Sequence, residues 1–174
     1  MSAMQAIQDF YIAPTAVVRG DVVLSPGVNI WFSAVIRADL SRISLGPRVN
    51  LQDGCIVHTD HDQPQVIEDG VVVGHRAVLH GSVIGRDSLV GMGAMLLSGC
   101  QIGAECLLAA GTLITEKRRI PPRSVVMGVP GRIVREVTDE DLRHTNAIAA
   151  HYLELAERYA KGAFTVRGPD PRSS

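Results

Sequence analysis

The chain has 174 residues and a formal net charge of −1, which fits one domain and excludes the strongly basic surface of a nucleic-acid-binding protein. Apolar residues make up 46% of the chain but aromatic residues only 4%, so we expect a narrow core of aliphatic side chains. The N-terminal segment lacks a secretory signal and no apolar run reaches the about 18 residues of a membrane span, so we expect a cytoplasmic protein without a membrane partner.

The main pattern in the chain is an aliphatic residue at nearly every sixth position. A helix repeats its apolar positions about every 3.6 residues and a strand every second residue, so this period belongs to neither alone. Three residues are inserted before Leu45, the segment 59–72 interrupts the row, and the step from Leu79 to Ile84 is short by one. The row consists of Ile12, Val18, Leu24, Ile30, Ile36, Leu45, Leu51, Val57, Val73, Leu79, Ile84, Val90, Leu96, Ile102, Leu108, Ile114 and Ile120.

A second row, four residues after each aliphatic residue, holds mostly small or β-branched side chains, Val83 among them. The three cysteines fall in this row, where a free thiol acts as a compact core-filling group. Glycines often follow the aliphatic residue, and we expect them at corners that demand unusual backbone conformations. The double row resembles the hexapeptide repeats of left-handed parallel β-helices, so we predict an all-β solenoid of this kind over residues 1–132.

The hexapeptide period ends in a segment rich in Pro and Gly. Thr138 followed by Asp141 resembles a capping box, and the apolar residues after it recur at helical spacing. We therefore predict a C-terminal α-helix within residues 133–162 that packs on the β-helix, with Gly162 as its stop. Residues 163–174 indicate a flexible tail.

Three histidines, His58, His75 and His80, lie in one short stretch of the chain. If the interruption adds four residues to the helical count, His58 and His80 lie one coil apart on one face, whereas His75 lies near a corner. One chain cannot easily place all three around an ion, but His75 of a neighbouring chain completes the set. The spacing therefore predicts an oligomer with an intersubunit site, and a homotrimer with three-fold packing is the natural candidate. Catalytic zinc is held in this way, by three protein ligands with an open fourth position. Spacing alone fits solvated surface histidines equally well.

Three segments carry a family resemblance: IRADL (36–40), VNLQDGCIVH (49–58) and VGHRAVLHG (73–81). Together they resemble the gamma-class carbonic anhydrase family. The resemblance implies CO2 and bicarbonate as substrates, a bound zinc ion and metal sites shared between the subunits of a homotrimer. Imidazole ligands also suit iron and cobalt, so the identity of the native metal stays open.

The resemblance also implies which residues form the site. His58, His75 and His80 match the family's zinc ligands, with His75 contributed across the subunit interface. Gln52 offers an amide to bicarbonate or to a metal-bound hydroxide, and Asp39 is placed to orient a ligand histidine. The remaining positions are Arg37 and Asp53, which are able to pair across the subunit boundary, and Tyr152, which falls near the family's active-site tyrosine. A structural ion pair and core packing are the alternatives for these three residues.

The sequence departs from the family at proton transfer. A metal ion of this kind lowers the pKa of its water from 15.7 to about 7, and each catalytic cycle must then shed a proton. Where the prototypes of the family place a carboxylate directly after the RxD motif, this chain has Leu40. We therefore expect slow CO2 hydration, with His61 as a candidate replacement for the missing shuttle and a solvated loop histidine as the alternative.

Three other functions stay open. A metal-dependent hydrolase of the acyl-CoA thioesterase type would use the same histidines. A hexapeptide acyltransferase would share the fold and the GVPGR segment (128–132), with Lys117, Arg118, Arg119 and Arg123 near a coenzyme A phosphate. A non-catalytic scaffold is the last, since a fold does not establish a function. Acyl transfer needs one catalytic histidine and no metal, so three positioned histidines favour the metal-dependent functions.

Overall fold

The structure is a computed structural model that describes residues 4–7 and 9–164. Most strands are short, and a single long helix follows them. In chain order the elements are β1 (Gln5–Ile7), β2 (Phe10–Ile12), β3 (Val17–Leu24), β4 (Asn29–Ile30), β5 (Val35–Leu45), β6 (Asn50–Leu51), β7 (Ile56–His58), β8 (Gln65–Ile67), β9 (Val72–Val73), β10 (Val78–His80), β11 (Val83–Ile84), β12 (Leu89–Val90), β13 (Met95–Leu96), β14 (Gln101–Ile102), β15 (Leu107–Leu108), β16 (Leu113–Ile114), β17 (Arg119–Ile120), β18 (Ser124–Met127), β19 (Arg132–Glu136) and α1 (Asp139–Ala160).

Strands one coil apart pair in parallel and form three faces of a solenoid of about six turns. The long strands β3 and β5 bend around a corner, so each contributes its first half to one face and its second half to the next. Face one contains β2, β4, β6, β9, β12, β15 and β18; face two the first halves of β3 and β5 with β7, β10, β13 and β16; face three their second halves with β8, β11, β14 and β17. The predicted β-helix of hexapeptide repeats with a C-terminal helix is confirmed.

The aliphatic row points inward and forms the core. Its members from Ile30 to Ile120 are at most 3% exposed. Cys55, Cys100 and Cys106 are buried and free, as expected, and burial raises the pKa of the first two thiols to about 12. These thiols are protonated at neutral pH and fill space, because only the thiolate is a strong nucleophile.

The prediction that Val83 belongs to the inward-facing second row is wrong. Val83 points outward and is 36% exposed, whereas Ser82 takes the inward place and is fully buried. The short step from Leu79 to Ile84 causes the difference, because counting four residues from Leu79 passes the inward position by one.

The interruption at 59–72 is shorter than the sequence suggests. Strand β8 lies inside it and continues face three, with Ile67 buried as a further core residue. Only the loop 59–64 is irregular. Val57 and Leu79 are register partners in adjacent coils, so the predicted count of four extra residues is confirmed.

The glycines that follow the aliphatic residues serve a different purpose from the one expected. Gly85 and Gly91 are not among the glycines with a left-handed backbone. A Cβ atom on Gly91 would lie 2.5 Å from the backbone nitrogen of Ala110, and one on Gly85 would lie 2.4 Å from that of Ala104. Close approach of the next coil therefore requires glycine at these positions.

Both ends of the solenoid carry antiparallel strand pairs that the sequence analysis did not predict, β1 with β2 and β18 with β19. The predicted capping box is confirmed: the Thr138 side chain accepts a hydrogen bond from the Asp141 backbone N–H, and the Asp141 carboxylate accepts one from the Thr138 backbone N–H. The helix ends two residues before Gly162, which has the positive φ of a helix stop. Of the predicted tail, residues 165–174 lie outside the described residues.

Helix α1 packs on face one. Trp31 on this face meets Tyr152 and Tyr159 of the helix edge to face, with ring centroids 5.1 and 5.4 Å apart. Ala156 is fully buried in the same cluster, so the helix has one buried side. Within the described part of the chain, no helix combines the length and the apolar character needed to cross a membrane.

Candidate functional site

The predicted stacking of two histidines on face two is confirmed. His58 in β7 and His80 in β10 are register partners, and Arg37 in β5 occupies the same place one coil earlier. His58 Nδ1 and His80 Nε2 lie 3.2 Å apart. The two imidazole rings therefore turn one nitrogen each toward a common point.

Asp39 engages the outer nitrogen of His58. His58 Nε2 donates a 2.9 Å hydrogen bond to Asp39 Oδ1, because a carboxylate is able only to accept. Desolvation alone would raise the pKa of Asp39, but hydrogen bonds from His58 and Arg37 outweigh it and lower that pKa below its ordinary value. Asp39 is therefore ionised, and it contacts His58, one of the predicted ligand histidines.

The outer nitrogen of His80 faces two residues that the sequence analysis did not assign. His80 Nδ1 lies 3.0 Å from the Ser98 hydroxyl and 3.4 Å from Asp60 Oδ2, and the hydroxyl donates a 2.6 Å hydrogen bond to the same Asp60 oxygen. Asp60 and Ser98 are 38 residues apart in the chain. They meet only because coils stack, so no local motif signals them.

His75 lies apart from the other two histidines, where face one turns toward face two. Its Nδ1 lies 2.9 Å from Asp53 Oδ2, and its Nε2 lies 3.1 Å from the Tyr152 hydroxyl. Burial and then the charge of Asp53 raise the pKa of Tyr152, so this phenol keeps its proton. The structure thus brings the Tyr152 hydroxyl to one of the predicted ligands, while the ring packs on Trp31 as the core-packing alternative expects.

Gln52, the predicted amide donor of the site, is buried. It is 5% exposed, its Oε1 accepts a 3.2 Å hydrogen bond from the His75 backbone N–H, and its Nε2 donates to Asn50 Oδ1 at 3.1 Å. Asn50 in turn donates to Asn29 at 2.6 Å. This chain of buried amides fixes Gln52 and leaves one Nε2 hydrogen for a further partner.

The expected pair between Arg37 and Asp53 is not formed within the chain. Arg37 contacts Asp39, which lies two residues away in β5, and Asp53 contacts His75. The short reach along β5 brings Arg37 to Asp39 first. Pairing of Arg37 with Asp53 of a neighbouring chain stays a prediction.

The donor set fits a zinc ion. When both rings are neutral and their outer nitrogens donate, lone pairs remain on His58 Nδ1 and His80 Nε2, which lie 3.2 Å apart. Two ligand nitrogens of a tetrahedral zinc ion lie about 3.4 Å apart, from Zn–N bonds of about 2.0–2.1 Å. Among residues 4–7 and 9–164 no group of three potential ligands comes together within one chain.

Comparisons with known proteins agree with these motifs. The bacterial transferase hexapeptide family (six repeats) matches residues 81–116. Gamma carbonic anhydrase 2, a mitochondrial protein of Arabidopsis thaliana, is 38% identical over 159 residues; the match covers 88% of this chain but only 57% of the relative. A carbonic anhydrase of Geobacillus kaustophilus is 38% identical over 149 residues, covering 86% of this chain and 82% of the relative.

A solved structure shows the same fold. It is a Bacillus cereus protein provisionally named an acetyltransferase, 37% identical, with a TM-score of 0.87 and coverage of 89% of this chain and 90% of that one. A protein of Methanocaldococcus jannaschii named as a probable carbonic anhydrase is 44% identical over 146 residues, covering 84% of this chain and 92% of its own length. The chain therefore belongs to the gamma carbonic anhydrase-like family of hexapeptide-repeat proteins.

Proposed function

We propose that the protein is a metal-dependent, gamma carbonic anhydrase-like enzyme that hydrates CO2 reversibly at sites shared between the subunits of a homotrimer. The observation that carries the proposal is the close approach of His58 Nδ1 and His80 Nε2, 3.2 Å apart, in two rings whose outer nitrogens contact Asp39 and Ser98. Two ring nitrogens at this distance share a cation, either a proton or a metal ion, because two facing lone pairs repel one another. His75 of a neighbouring chain is the proposed third ligand.

A row of apolar side chains on face two supports the shared site. Its exposed members include Ile56 and Met95, which are 45% and 42% exposed. A contiguous apolar row at the surface marks an interaction site. We call this row the apolar ladder; its members, register partners in successive coils, are Val17, Val35, Ile56, Val78, Met95 and Leu113. The ladder runs directly beside His58 and His80, so a second copy of the chain packed on it would cover the paired histidines.

Different residues of the chain have different roles in the proposed reaction. A zinc ion, when bound, supplies water with a pKa of about 7. Asp39 and Asp53 hold the rings of His58 and His75 from outside, which orients their other nitrogens. Gln52, fixed by its buried neighbours, has one N–H to donate to an oxygen of the substrate. A held donor of this kind stabilises developing negative charge without moving during the reaction.

The rate of CO2 hydration is proposed to be limited by proton removal. Leu40, at the position of the family's carboxylate, is 38% exposed and offers no acid–base group. His61 is an exposed residue of the loop 59–64. An added buffer base such as imidazole should therefore accelerate CO2 hydration, and a rate independent of imidazole concentration would contradict this step.

A second candidate, acyl transfer or thioester hydrolysis, is favoured by one cavity. A cavity of about 430 Å³ is lined by Thr115, Arg118 and Arg132 together with the end of β16 and the segment that follows Pro130. Two guanidinium groups at one cavity suit the phosphates of an acyl carrier. Of the basic residues considered for this role, Arg123 is engaged elsewhere, since it pairs with Glu105 and Asp139.

The deciding experiment is elemental analysis of the untagged protein purified without chelators. We expect about one zinc, iron or cobalt ion per chain, lost in His80→Ala and retained in the control His61→Ala. CO2 hydration and thioester hydrolysis are then assayed on the same preparation. Assembled protein that carries no metal and takes up none on reconstitution would contradict the proposal and favour acyl transfer or a scaffold.

A further inference from the structure

The hydroxyl of Ser98 lies between His80 and Asp60, and its hydrogen bonds can be assigned by counting donors. Ser98 Oγ donates to Asp60 Oδ2 at 2.6 Å. A serine hydroxyl has a single hydrogen, so its 3.0 Å contact with His80 Nδ1 requires that the imidazole donates. The neutral His80 ring is therefore the Nδ1–H tautomer, and its Nε2, which faces His58, carries the lone pair.

We infer that Ser98 and Asp60 are positioning residues for His80, which fix its tautomer and ring orientation for metal binding. The inference rests on the proposed function, because it assigns a role at the same metal site. Histidine ligands are held in this way when a polar partner accepts their other ring hydrogen. Here the partner is a serine hydroxyl backed by a carboxylate, whereas His58 meets its carboxylate directly.

The loop that carries Asp60 is anchored to the neighbouring coil, which makes the contact reproducible. The Ser41 hydroxyl donates a 2.7 Å hydrogen bond to the Asp60 carbonyl oxygen. Thr59, fully buried, accepts from the Ser41 backbone N–H and donates to the Ser41 carbonyl oxygen, both at 3.2 Å. The carboxylate therefore extends from a fixed backbone position toward Ser98.

The position of Ser98 explains why a hydroxyl is used here. Ser98 lies in the turn after β13, one coil beyond His80, and the Gly99 backbone N–H donates to the Gly81 carbonyl oxygen at 2.8 Å. This backbone contact sets Ser98 beside the imidazole ring. Asp60 lies in the coil before that of His80, and its Oδ2 is 3.4 Å from His80 Nδ1. The hydroxyl bridges the remaining gap.

Zinc affinity of the full-length protein tests the inference. We expect Ser98→Ala and Asp60→Asn to weaken zinc binding by about 10- to 100-fold, the usual effect of removing a partner of a ligand histidine. Ser98→Thr keeps the hydroxyl and should restore the affinity. Asp62→Asn is the matched control, because it removes a carboxylate from the same loop and asparagine tolerates the positive φ found there.

A second readout works without metal. In chelator-treated protein, the ¹⁵N shifts of His80 should report the Nδ1–H tautomer in the wild type and a mixture of tautomers in Ser98→Ala. If the wild type binds zinc but the two variants bind it equally well, the inference is overturned. If the wild type binds no metal, the proposed function fails; the Nδ1–H signature and its loss in Ser98→Ala would then support the role of Ser98 in fixing the tautomer, and its absence would overturn it.

Discussion

Face one and face two are built from the same hexapeptide repeat, but face one is covered by helix α1 whereas face two is exposed. On face one, helix α1 covers the strands through an aromatic cluster around Trp31, and the polar residues Asn29 and Asn50 are fully buried. On face two, the apolar ladder remains at the surface beside His58 and His80. Inward residues are interchangeable between faces, so the outward residues alone decide which face the chain covers itself and which face is open to another chain.

The two faces meet at His75. Its ring contacts Tyr152 of the helix that covers face one, while its backbone is held by Gln52. A residue of the covered face is thus positioned rigidly, whereas the paired histidines belong to the open face. The proposed site shared between chains needs this division, in which His75 of one chain is the rigid ligand for the half-buried pair His58 and His80 of another.

The largest expected effect comes from mixing two inactive chains. His75→Ala and His80→Ala should each fail to bind metal alone, because each lacks one ligand. After unfolding and co-refolding in equal amounts, about a quarter of the sites should regain all three ligands if random trimers share sites. Metal content of the mixed sample measures this.

The double variant, in which one chain carries both His75→Ala and His80→Ala, provides the control. After the same unfolding and refolding it should bind no metal, because none of its sites contains a complete set of ligands. No recovery in the mixture of single variants would show that the ligands do not come from two chains.

The second effect concerns the apolar ladder. Ile56→Lys places a charge in the middle of the proposed interface, and burying an unpaired charge costs several kcal/mol. We expect the assembly to dissociate into folded monomers, as measured by analytical ultracentrifugation and circular dichroism.

Val23→Lys is the matched control for the ladder. Val23 lies in the second half of β3, on face three, and its exposure of 46% equals that of Ile56 within a percentage point. We expect this variant to keep the oligomeric state of the wild type. If the two lysine variants have the same oligomeric state, the apolar ladder on face two is not the interface between chains.

A smaller effect is expected at Tyr152. Tyr152→Phe removes the hydroxyl beside His75 but keeps the ring that packs on Trp31. A single lost hydrogen bond is worth about 0.5–1.5 kcal/mol, so CO2 hydration should fall by no more than roughly tenfold while the melting temperature changes little. Steady-state kinetics with metal content as the reference measure it, and a complete loss of bound metal would contradict a role limited to this contact.

The smallest effect concerns the cap of the helix that covers face one. Hydrogen bonds from Arg135 and Thr138 hold the pKa of Asp141 well below its ordinary value of 3.8. A lowered carboxyl pKa contributes stability above the ordinary value, and the contribution is lost as the pH falls through the folded-state pKa. Asp141→Asn should therefore flatten the decline of the melting temperature below pH 4.

Glu140→Gln is the control for the cap, since Glu140 lies exposed in the same first turn. We expect its melting temperature to follow the wild type at every pH. An unchanged acid profile in Asp141→Asn would show that the cap does not couple to protonation.

The sequence predicts most of the fold because every coil needs the same inward-facing aliphatic and small residues. The six-residue period places the core, and counting residues between Val57 and Leu79 places His58 over His80. The six-residue period does not extend to the ends of the solenoid, so it does not predict the antiparallel strand pairs found there. It also misplaced Val83, because a single deleted residue shifts inward and outward positions.

The surroundings of the candidate site were less predictable than the placement of His58 over His80. Ser98 and Asp60 come together through coil stacking rather than through a local motif, and Arg37 contacts Asp39 because that carboxylate is the nearer one. Gln52 was predicted as an amide donor, but its buried contacts with Asn50 on its own coil and with His75 on the next coil were not predicted. Contacts between residues of different coils depend on side-chain length and rotamer, which spacing does not encode.

The stacking of coils has a consequence for how the protein unfolds on heating. Each coil touches only its neighbours, so melting begins as fraying at the ends of the array and proceeds toward the middle. The paired histidines and their partners occupy interior coils, and the proposed metal ion between β7 and β10 would join two of these coils. Far-ultraviolet signals should therefore start to decay while the contacts of His58 and His80 are still intact, and bound metal should delay the separation of these coils.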